Sequence, residues 1–275
     1  MKLEILETDD SENICFPLVI GGCSLVLKNN SFFRNSPINI KDEYLEEEIG
    51  GILSRQKTTN NDYEFFFNKD ITVIGNFDEN VVPFNLTHSE NYFHFLADYL
   101  PALFDRITSQ KIKKSSIILT GPLHKNFLSI LNLVINNKYI IRSIGLYDAI
   151  YVKKALLLNR TFHANERIDK IAPKSYYDSH KIMNLRNYLI KKLNLNACFP
   201  KKSRNIFVPR ISSRRNVANL DEIINICYQY NIEVIYPEQL SFSEQASIFY
   251  NSQLIIGPMG AWVTNLMFSK KNCKV

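Results

Sequence analysis

Several common signatures are missing from this sequence, and each absence removes a class of protein. Its five cysteines are scattered, odd in number and without a C-x-x-C pair, so neither a zinc site nor a disulfide framework is indicated. The longest apolar run, residues 16–27, contains two glycines and is too short to span a bilayer as a helix. The acidic first ten residues lack the apolar core of a secretory signal. We therefore expect a cytoplasmic chain with reduced thiols.

Two further absences concern chemistry. No strict D-x-D motif occurs, which disfavours a diphosphate held by a metal ion, so we expect no metal site. A full G-x-G-x-x-G fingerprint is also missing, which disfavours a nucleotide-dependent oxidoreductase. The net charge of +6, with 22% charged residues, is only mildly basic. It indicates anionic small molecules or a membrane surface as partners, and no nucleic acid.

The apolar pattern predicts an α/β protein with parallel sheets. Residues 1–80 are the least regular part, but from residue 88 helical and strand-like segments alternate, which is typical of β-α-β units. The predicted elements are a helix from about Ser89, a strand at Ser116–Thr120, a helix at Pro122–Ile135, strands at Tyr139–Ser143 and Ile150–Leu158, and a helix at Tyr177–Leu193. A length of 275 residues fits one large domain or two moderate ones, and we expect two.

The domain boundary is predicted in the segment 196–205, which has a proline, a basic cluster and no periodicity. This gives domains 1–198 and 199–275. The second domain shows three consecutive β-α units, the order typical of a Rossmann-like sheet. Its strands are predicted at Asn205–Val208, Ile232–Tyr236 and Gln253–Ile256, and its helices at Asn219–Tyr230, Phe242–Tyr250 and Ala261–Phe268.

Two local features refine this second domain. Ser241 and Glu244 match the S-x-x-E capping box at the start of a helix, so Glu244 has a structural role and is not a site candidate. The final C-K-V resembles the opening of a further strand. We therefore expect the C-terminal sheet to be incomplete and the chain to be truncated.

A glycine turn and a group of arginines predict an anion site in the second domain. Gly257 and Gly260 follow a strand and precede a helix, where free N–H groups attract phosphate and a Cβ would block the approach of the backbone. Arg210, Arg214 and Arg215 follow the first strand and would reach the same carboxyl edge of a parallel sheet. The alternatives are an ordinary turn and a solvated basic loop. Trp262 could stack on a nucleotide or simply pack.

The stretch N-Y-F-H-F-L-A-D-Y-L-P, residues 91–101, sets polar groups into an aromatic helix. At helical spacing Asn91, His94, Asp98 and Asp105 share one face, opposite a strongly apolar one. That face is either a solvent-exposed stripe or a site. The helix predicted at Tyr177–Leu193 builds its solvent face from lysine and arginine instead, which favours a site here. Because Pro101 bends or ends a helix, only the His94–Asp98 spacing is dependable.

The sequence resembles glycosyltransferase family 61, which includes bacterial capsular-polysaccharide transferases and eukaryotic xylosyl- and N-acetylglucosaminyl-transferases. Four motifs carry the resemblance, in the family's order and within residues 85–270. They are N-Y-F-H-F-L-A-D-Y-L-P, R-I-S-S-R-R-N-V-A-N, Y-P-E-Q-L-S-F-S-E-Q and G-P-M-G-A-W-V-T-N-L-M-F. The chain departs from the family at Met259, where many members have histidine, and members usually continue past Val275.

The resemblance implies a GT-B-like architecture of two Rossmann-like domains and a nucleotide-sugar donor bound mainly by the second domain. It implies inversion at the anomeric carbon and no cofactor besides the donor. Arg210 and Arg214 match the arginines expected near the donor diphosphate. Further substrate-binding candidates are Asn91, Glu238, Gln245, Gly257, Gly260, Ala261 and Asn265.

Transfer with inversion needs a base for the acceptor hydroxyl. We assign His94 as the base with Asp98 as its orienting partner, and Asp98 as the base itself is the alternative. The resemblance and the basic charge together indicate a glycan or lipid-linked acceptor in surface or capsular polysaccharide synthesis, with peripheral association at the inner face of the membrane. The rival hypothesis is a catalytically inactive remnant, or a nucleotide-sugar-binding module of the same fold.

Overall fold

The computed structural model describes residues 4–7, 13–15, 18–21, 26–28, 31–34, 53–57, 63–67, 70–84, 91–158, 162–163, 176–196, 204–210 and 216–275. These residues form helices and sheets with parallel strands, which confirms the predicted α/β class. The chain divides into two compact units, Met1–Ile182 and Met183–Val275. Most of the predicted linker lies at 197–203, outside the described residues, so the boundary at 198/199 stays a prediction.

The first unit is rich in short strands. They are β1 (Glu4–Glu7), β2 (Asn13–Cys15), β3 (Leu18–Ile20), β4 (Val26–Lys28), β5 (Ser31–Arg34), β6 (Leu53–Lys57), β7 (Tyr63–Phe67), β8 (Thr72–Pro83), β9 (Ile117–Thr120), β10 (Ile140–Ser143), β11 (Asp148–Leu156), β12 (Phe162–His163) and β13 (Tyr176–Tyr177). Its helical segments are a π-helix (His94–Tyr99), α1 (Leu100–Thr108) and α2 (Lys125–Ile135). Helix α3 (Ser179–Lys192) runs through the division between the units.

The main sheet of the first unit is mixed, which corrects the prediction of a parallel sheet there. Strands β11, β8, β9 and β10 are neighbours in this order and pair in parallel, with helices connecting β8 to β9 and β9 to β10. Strands β3, β4 and β5 instead pair antiparallel with one another, and β2 and β3 pair antiparallel with β11. The connections from β3 to β4 and from β4 to β5 are too short for a parallel crossover, so only antiparallel pairing joins them.

The core of the first unit packs helices against its parallel strands. All four residues of β9 are buried, because helices cover the faces of such strands, and its sequence is accordingly a continuous apolar run apart from Thr120. Phe95 lies at the start of the helical region and stacks on Phe127 of α2, with ring centroids 4.7 Å apart. Phe84, just past β8, meets the same Phe95 ring edge-on at 5.9 Å. These aromatic contacts hold the π-helix in place.

The second unit alternates strands and helices, as the sequence predicts. Its elements are β14 (Arg204–Phe207), α4 (Leu220–Gln229), β15 (Glu233–Val234), a 3₁₀ helix (Pro237–Gln239), α5 (Phe242–Tyr250), β16 (Ser252–Ile256) and a second 3₁₀ helix (Ala261–Phe268). The strands pair in parallel in the order β15-β14-β16. The chain therefore places β15 on one side of β14 and β16 on the other, so the direction of winding reverses at β14.

Three local features of the second unit were indicated by its sequence: a helix cap, a last helix and a final strand-like segment. The capping box is confirmed, with Ser241 and Glu244 bonded reciprocally at the start of α5. The predicted last helix has the expected bounds but is wound as a 3₁₀ helix, and at its start the N–H of Val263 bonds to the carbonyl of Gly260, three residues before it. Lys274 forms a parallel bridge with Leu254 beside β16, in line with the strand-like C-K-V.

Candidate functional site

The helix carrying the histidine and aspartate is widened just before a proline. The N–H of Leu100 bonds to the carbonyl of Phe95, five residues back, which is π-helical bonding. Pro101 has no N–H to donate, and in a regular α-helix its ring would clash with the carbonyl of Ala97. The wider turn accommodates the proline, and α1 continues beyond it. The predicted bend at Pro101 is thus a local change of winding, a feature often found at functional sites.

His94 and Asp98 face each other directly across this wider turn. The His94 Nδ1 lies 2.7 Å from the Asp98 Oδ2. The Asp98 side chain is only 3% exposed, whereas the His94 side chain is 38% exposed. Asp98 is therefore not part of a solvent-exposed stripe. An ionised carboxylate only accepts hydrogen bonds, so a hydrogen bond to Asp98 in that form requires the hydrogen on Nδ1 and leaves Nε2 as the nitrogen that can accept a proton.

The other polar residues predicted on this helix face have different positions. The Asn91 side-chain oxygen accepts the N–H of Phe93 at 2.9 Å, and the Asn91 carbonyl accepts the N–H of Phe95 at 2.9 Å. Asn91 therefore satisfies the start of the helix, a structural role that accounts for an asparagine there. Asp105 belongs to α1, beyond the π-helix, and is half-buried.

The second unit brings Arg210 and the glycine turn together at one sheet edge. Phe207 and Ile256 are register partners at the ends of β14 and β16, so the residues after each strand emerge side by side. An Nη1 hydrogen of Arg210 is donated to the carbonyl of Met259 within the turn. This edge is where the winding reverses, and in open α/β sheets such a place forms the ligand crevice. Arg214 and Arg215 lie outside the described residues.

The backbone of the turn Gly257–Gly260 lies in close contact with neighbouring groups of the protein. A Cβ on Gly257 would lie 2.5 Å from the Val208 carbonyl oxygen and 2.9 Å from Cζ2 of Trp262. The Trp262 ring is buried, and its indole N–H donates to the carbonyl of Pro258 at 2.8 Å. Of the two alternatives for Trp262, the structure therefore shows packing against the turn.

Of the remaining substrate-binding candidates, two are buried and two are exposed to solvent. Gln245 and Asn265 are buried and hydrogen-bonded to each other at 3.0 Å, which gives both a role inside the unit. Glu238 is exposed in the first 3₁₀ helix, and Ala261 is exposed at the first position of the second one. The N–H groups in the first turn of a helix have no partners further back in it and attract anions. Ala261 thus places such donors next to the glycine turn.

The described residues define an α/β protein. Its first unit carries a histidine in contact with a buried carboxylate, and its second unit carries an arginine bonded to a glycine turn at the edge of a parallel sheet. The family model described as Glycosyltransferase 61 matches residues 92–275, more than half of the chain and a range that includes both clusters. The chain belongs to the glycosyltransferase 61 family, which confirms the resemblance found in the motifs. Membership implies a glycosyltransferase that uses a sugar donor and an acceptor. No curated protein matches the chain.

Within the described ranges, no helix has the length and apolar character needed to cross a membrane.

Proposed function

We propose that this chain is an inverting, metal-independent glycosyltransferase of GT-B architecture. It moves a sugar from a nucleotide-diphosphate donor to a glycan or lipid-linked acceptor in the synthesis of a surface or capsular polysaccharide. The observation that carries the proposal is the 2.7 Å contact between His94 Nδ1 and the buried Asp98 carboxylate. Membership of the glycosyltransferase 61 family supplies the reaction class.

His94 acts as the general base. Its Nε2 takes the proton of the acceptor hydroxyl while that oxygen attacks the anomeric carbon and the nucleoside diphosphate leaves. Asp98 holds the ring in the required tautomer and stabilises the imidazolium that forms, as a carboxylate does when it orients a catalytic histidine. The exposure of the two side chains favours this assignment over Asp98 as base, because the 3% exposed carboxylate is less able than the 38% exposed imidazole to reach a hydroxyl.

The second unit binds the donor. The guanidinium of Arg210, together with that of Arg214, neutralises the diphosphate. The backbone N–H groups of the turn Gly257–Gly260 and of the following 3₁₀ helix donate hydrogen bonds to its oxygens. An arginine fork suits this role because its parallel N–H groups match two phosphate oxygens. With cationic side chains and a helix start supplying the positive charge, the donor needs no metal ion.

The charge of the chain indicates where the acceptor is presented. A net charge of +6 favours approach to an anionic membrane surface, where a lipid-linked acceptor is presented. We assign the chain to the cytoplasmic side, in peripheral association with the membrane.

The purified chain tests the proposal when incubated with nucleotide-sugars and a lipid extract or polysaccharide fraction, in EDTA and then in Mn²⁺. We expect nucleotide release in EDTA and an anomeric configuration, read by NMR, opposite to that of the donor. A strict requirement for Mn²⁺ or a retained configuration would contradict the mechanism. Binding of nucleotide-sugar without any release would instead support a non-catalytic module of the same fold.

A further inference from the structure

We propose that Trp262 is a positioning residue, whose indole fixes the turn Gly257–Gly260 so that the turn holds Arg210 in place for the donor diphosphate. The proposal rests on the donor role given above to Arg210. It assigns a function to a side chain that touches neither the reacting atoms nor the diphosphate.

Two contacts immobilise the indole ring. Its N–H donates to the carbonyl of Pro258 at 2.8 Å, and its ring packs on Phe249 of α5, with centroids 6.1 Å apart. Trp262 is only 9% exposed, so the ring is anchored in the interior of the unit and not in solvent. The indole therefore ties one carbonyl of the turn to the hydrophobic core.

The two glycines of the turn leave space for this ring, because they have no Cβ. A Cβ on Gly257 would come within 2.9 Å of Trp262 Cζ2, and one on Gly260 within 3.2 Å of Trp262 Cδ1. Gly260 has extended backbone angles, φ −169° and ψ 177°, which any residue can adopt. A Cβ at this position would therefore be opposed by the closeness of the ring and not by backbone strain. The turn is folded around the tryptophan.

The same turn orients the arginine. Pro258 and Met259 are consecutive residues, and their carbonyls accept hydrogen bonds from Trp262 and Arg210 respectively. The Met259 side chain is 77% exposed, so it is the backbone of this residue that connects to the site. A guanidinium has five N–H donors, so the bond to Met259 fixes its direction and leaves others for phosphate oxygens. Movement of the Pro258 peptide would displace the acceptor that holds Arg210.

The test is a double-mutant cycle on the intact chain of 275 residues. Trp262→Phe keeps an aromatic ring against Phe249 but removes the N–H, and Arg210→Ala removes the residue through which the indole is proposed to act. Affinity is measured by calorimetry with UDP, GDP and ADP in EDTA, and the tightest of these is used as the probe. We expect Trp262→Phe to weaken binding and raise the donor KM about three- to tenfold, with kcat unchanged.

The decisive comparison is the same substitution in the Arg210→Ala background. If the indole acts through Arg210, Trp262→Phe has no further effect on affinity there. An equal loss in both backgrounds, or no loss in either, would overturn the positioning role. Tyr250→Phe is the matched control, because it removes one side-chain hydrogen bond, to Asn196, in the same unit but away from the turn. It should leave affinity and KM unchanged.

Two further outcomes separate this inference from the proposed function. If wild type binds none of the three diphosphates, the donor role of the second unit and the positioning role both fail. If wild type binds but Trp262→Phe binds equally well, only the positioning role fails. Should Trp262→Phe not fold, Gly260→Ala replaces it in the cycle, because the added Cβ presses on the ring and should produce the same Arg210-dependent loss.

Discussion

The side-chain amide of Asn265 donates a hydrogen bond to the side-chain oxygen of Gln245 at 3.0 Å, inside the second unit. Asn265 is fully buried and Gln245 is 7% exposed, and Gln245 in turn donates to the carbonyl of Leu240 at 3.1 Å. This contact joins α5 to the 3₁₀ helix that follows the glycine turn. Two residues selected from the sequence as substrate-binding candidates thus serve to hold together the elements that frame the turn.

We expect Asn265→Leu to destabilise the protein by about 1–3 kcal/mol, because the buried oxygen of Gln245 loses its donor while the volume is nearly kept. Urea unfolding measures this difference. Asn225→Leu is the control, since Asn225 is exposed on α4 and its replacement should change stability by less than about 0.5 kcal/mol. Normal stability with lost donor binding would show instead that Asn265 contacts the substrate.

His94→Ala should lower kcat by roughly a hundred- to ten-thousandfold, the usual contribution of a positioned general base. Asp98→Asn should lower kcat less, because the imidazole remains while its tautomer and its charged form lose support. Steady-state nucleotide release gives both values. His180→Ala, at an exposed position near the start of α3, is the matched control and should retain full activity. Unchanged kcat in both site variants would refute the catalytic pair.

Arg210→Ala should weaken nucleoside diphosphate binding roughly ten- to hundredfold, as expected when charge-assisted hydrogen bonds to phosphate are lost. Arg210→Lys should recover only part of this loss, since a lysine lacks the planar fork. The control is Arg204, the first residue of β14, which pairs with Glu233 at the end of the strand opposite to the one that Arg210 follows. Calorimetry should show wild-type affinity for Arg204→Ala, and an equal loss in both arginine variants would indicate a general charge effect.

The capping box makes the stability of α5 depend on pH. Hydrogen bonds from the Ser241 hydroxyl and backbone N–H, at 2.6 and 2.8 Å, lower the pKa of Glu244 below its ordinary value of 4.5. The stabilisation from ionised Glu244 is therefore fully present above pH 4.5 and is lost as pH falls through the lower folded-state pKa.

Urea unfolding of wild type and Glu244→Ala at several pH values tests this dependence. The wild-type advantage should be present at pH 7 and should shrink on acidification below pH 4.5. An advantage that does not change with pH would show that the ionised carboxylate contributes nothing to the cap. Glu244→Gln serves as a control, because a glutamine keeps the capping pattern but does not titrate.

Local patterns predicted the parts of this protein whose interactions span only a few residues. The spacing of His94 and Asp98 indicated one helix face, and Ser241 with Glu244 indicated the start of α5. The apolar run before Thr120 indicated a buried strand. The antiparallel pairs formed by strands β2, β3, β4 and β5 were not predicted, because the residues before 80 show no clear hydrophobic period. The short connections between these strands were nevertheless a usable signal for antiparallel pairing.

The sequence by itself determined the order of β-α units, the apolar helix faces and the residues available for chemistry, because these follow from propensity and spacing. Only the tertiary structure decided how those residues are used. It buried Asp98 while leaving His94 accessible, joined Gln245 to Asn265, and brought Arg210 to a turn almost 50 residues further along the chain. Such contacts depend on which strands become neighbours, and that is settled by the packing of apolar faces contributed by the whole unit.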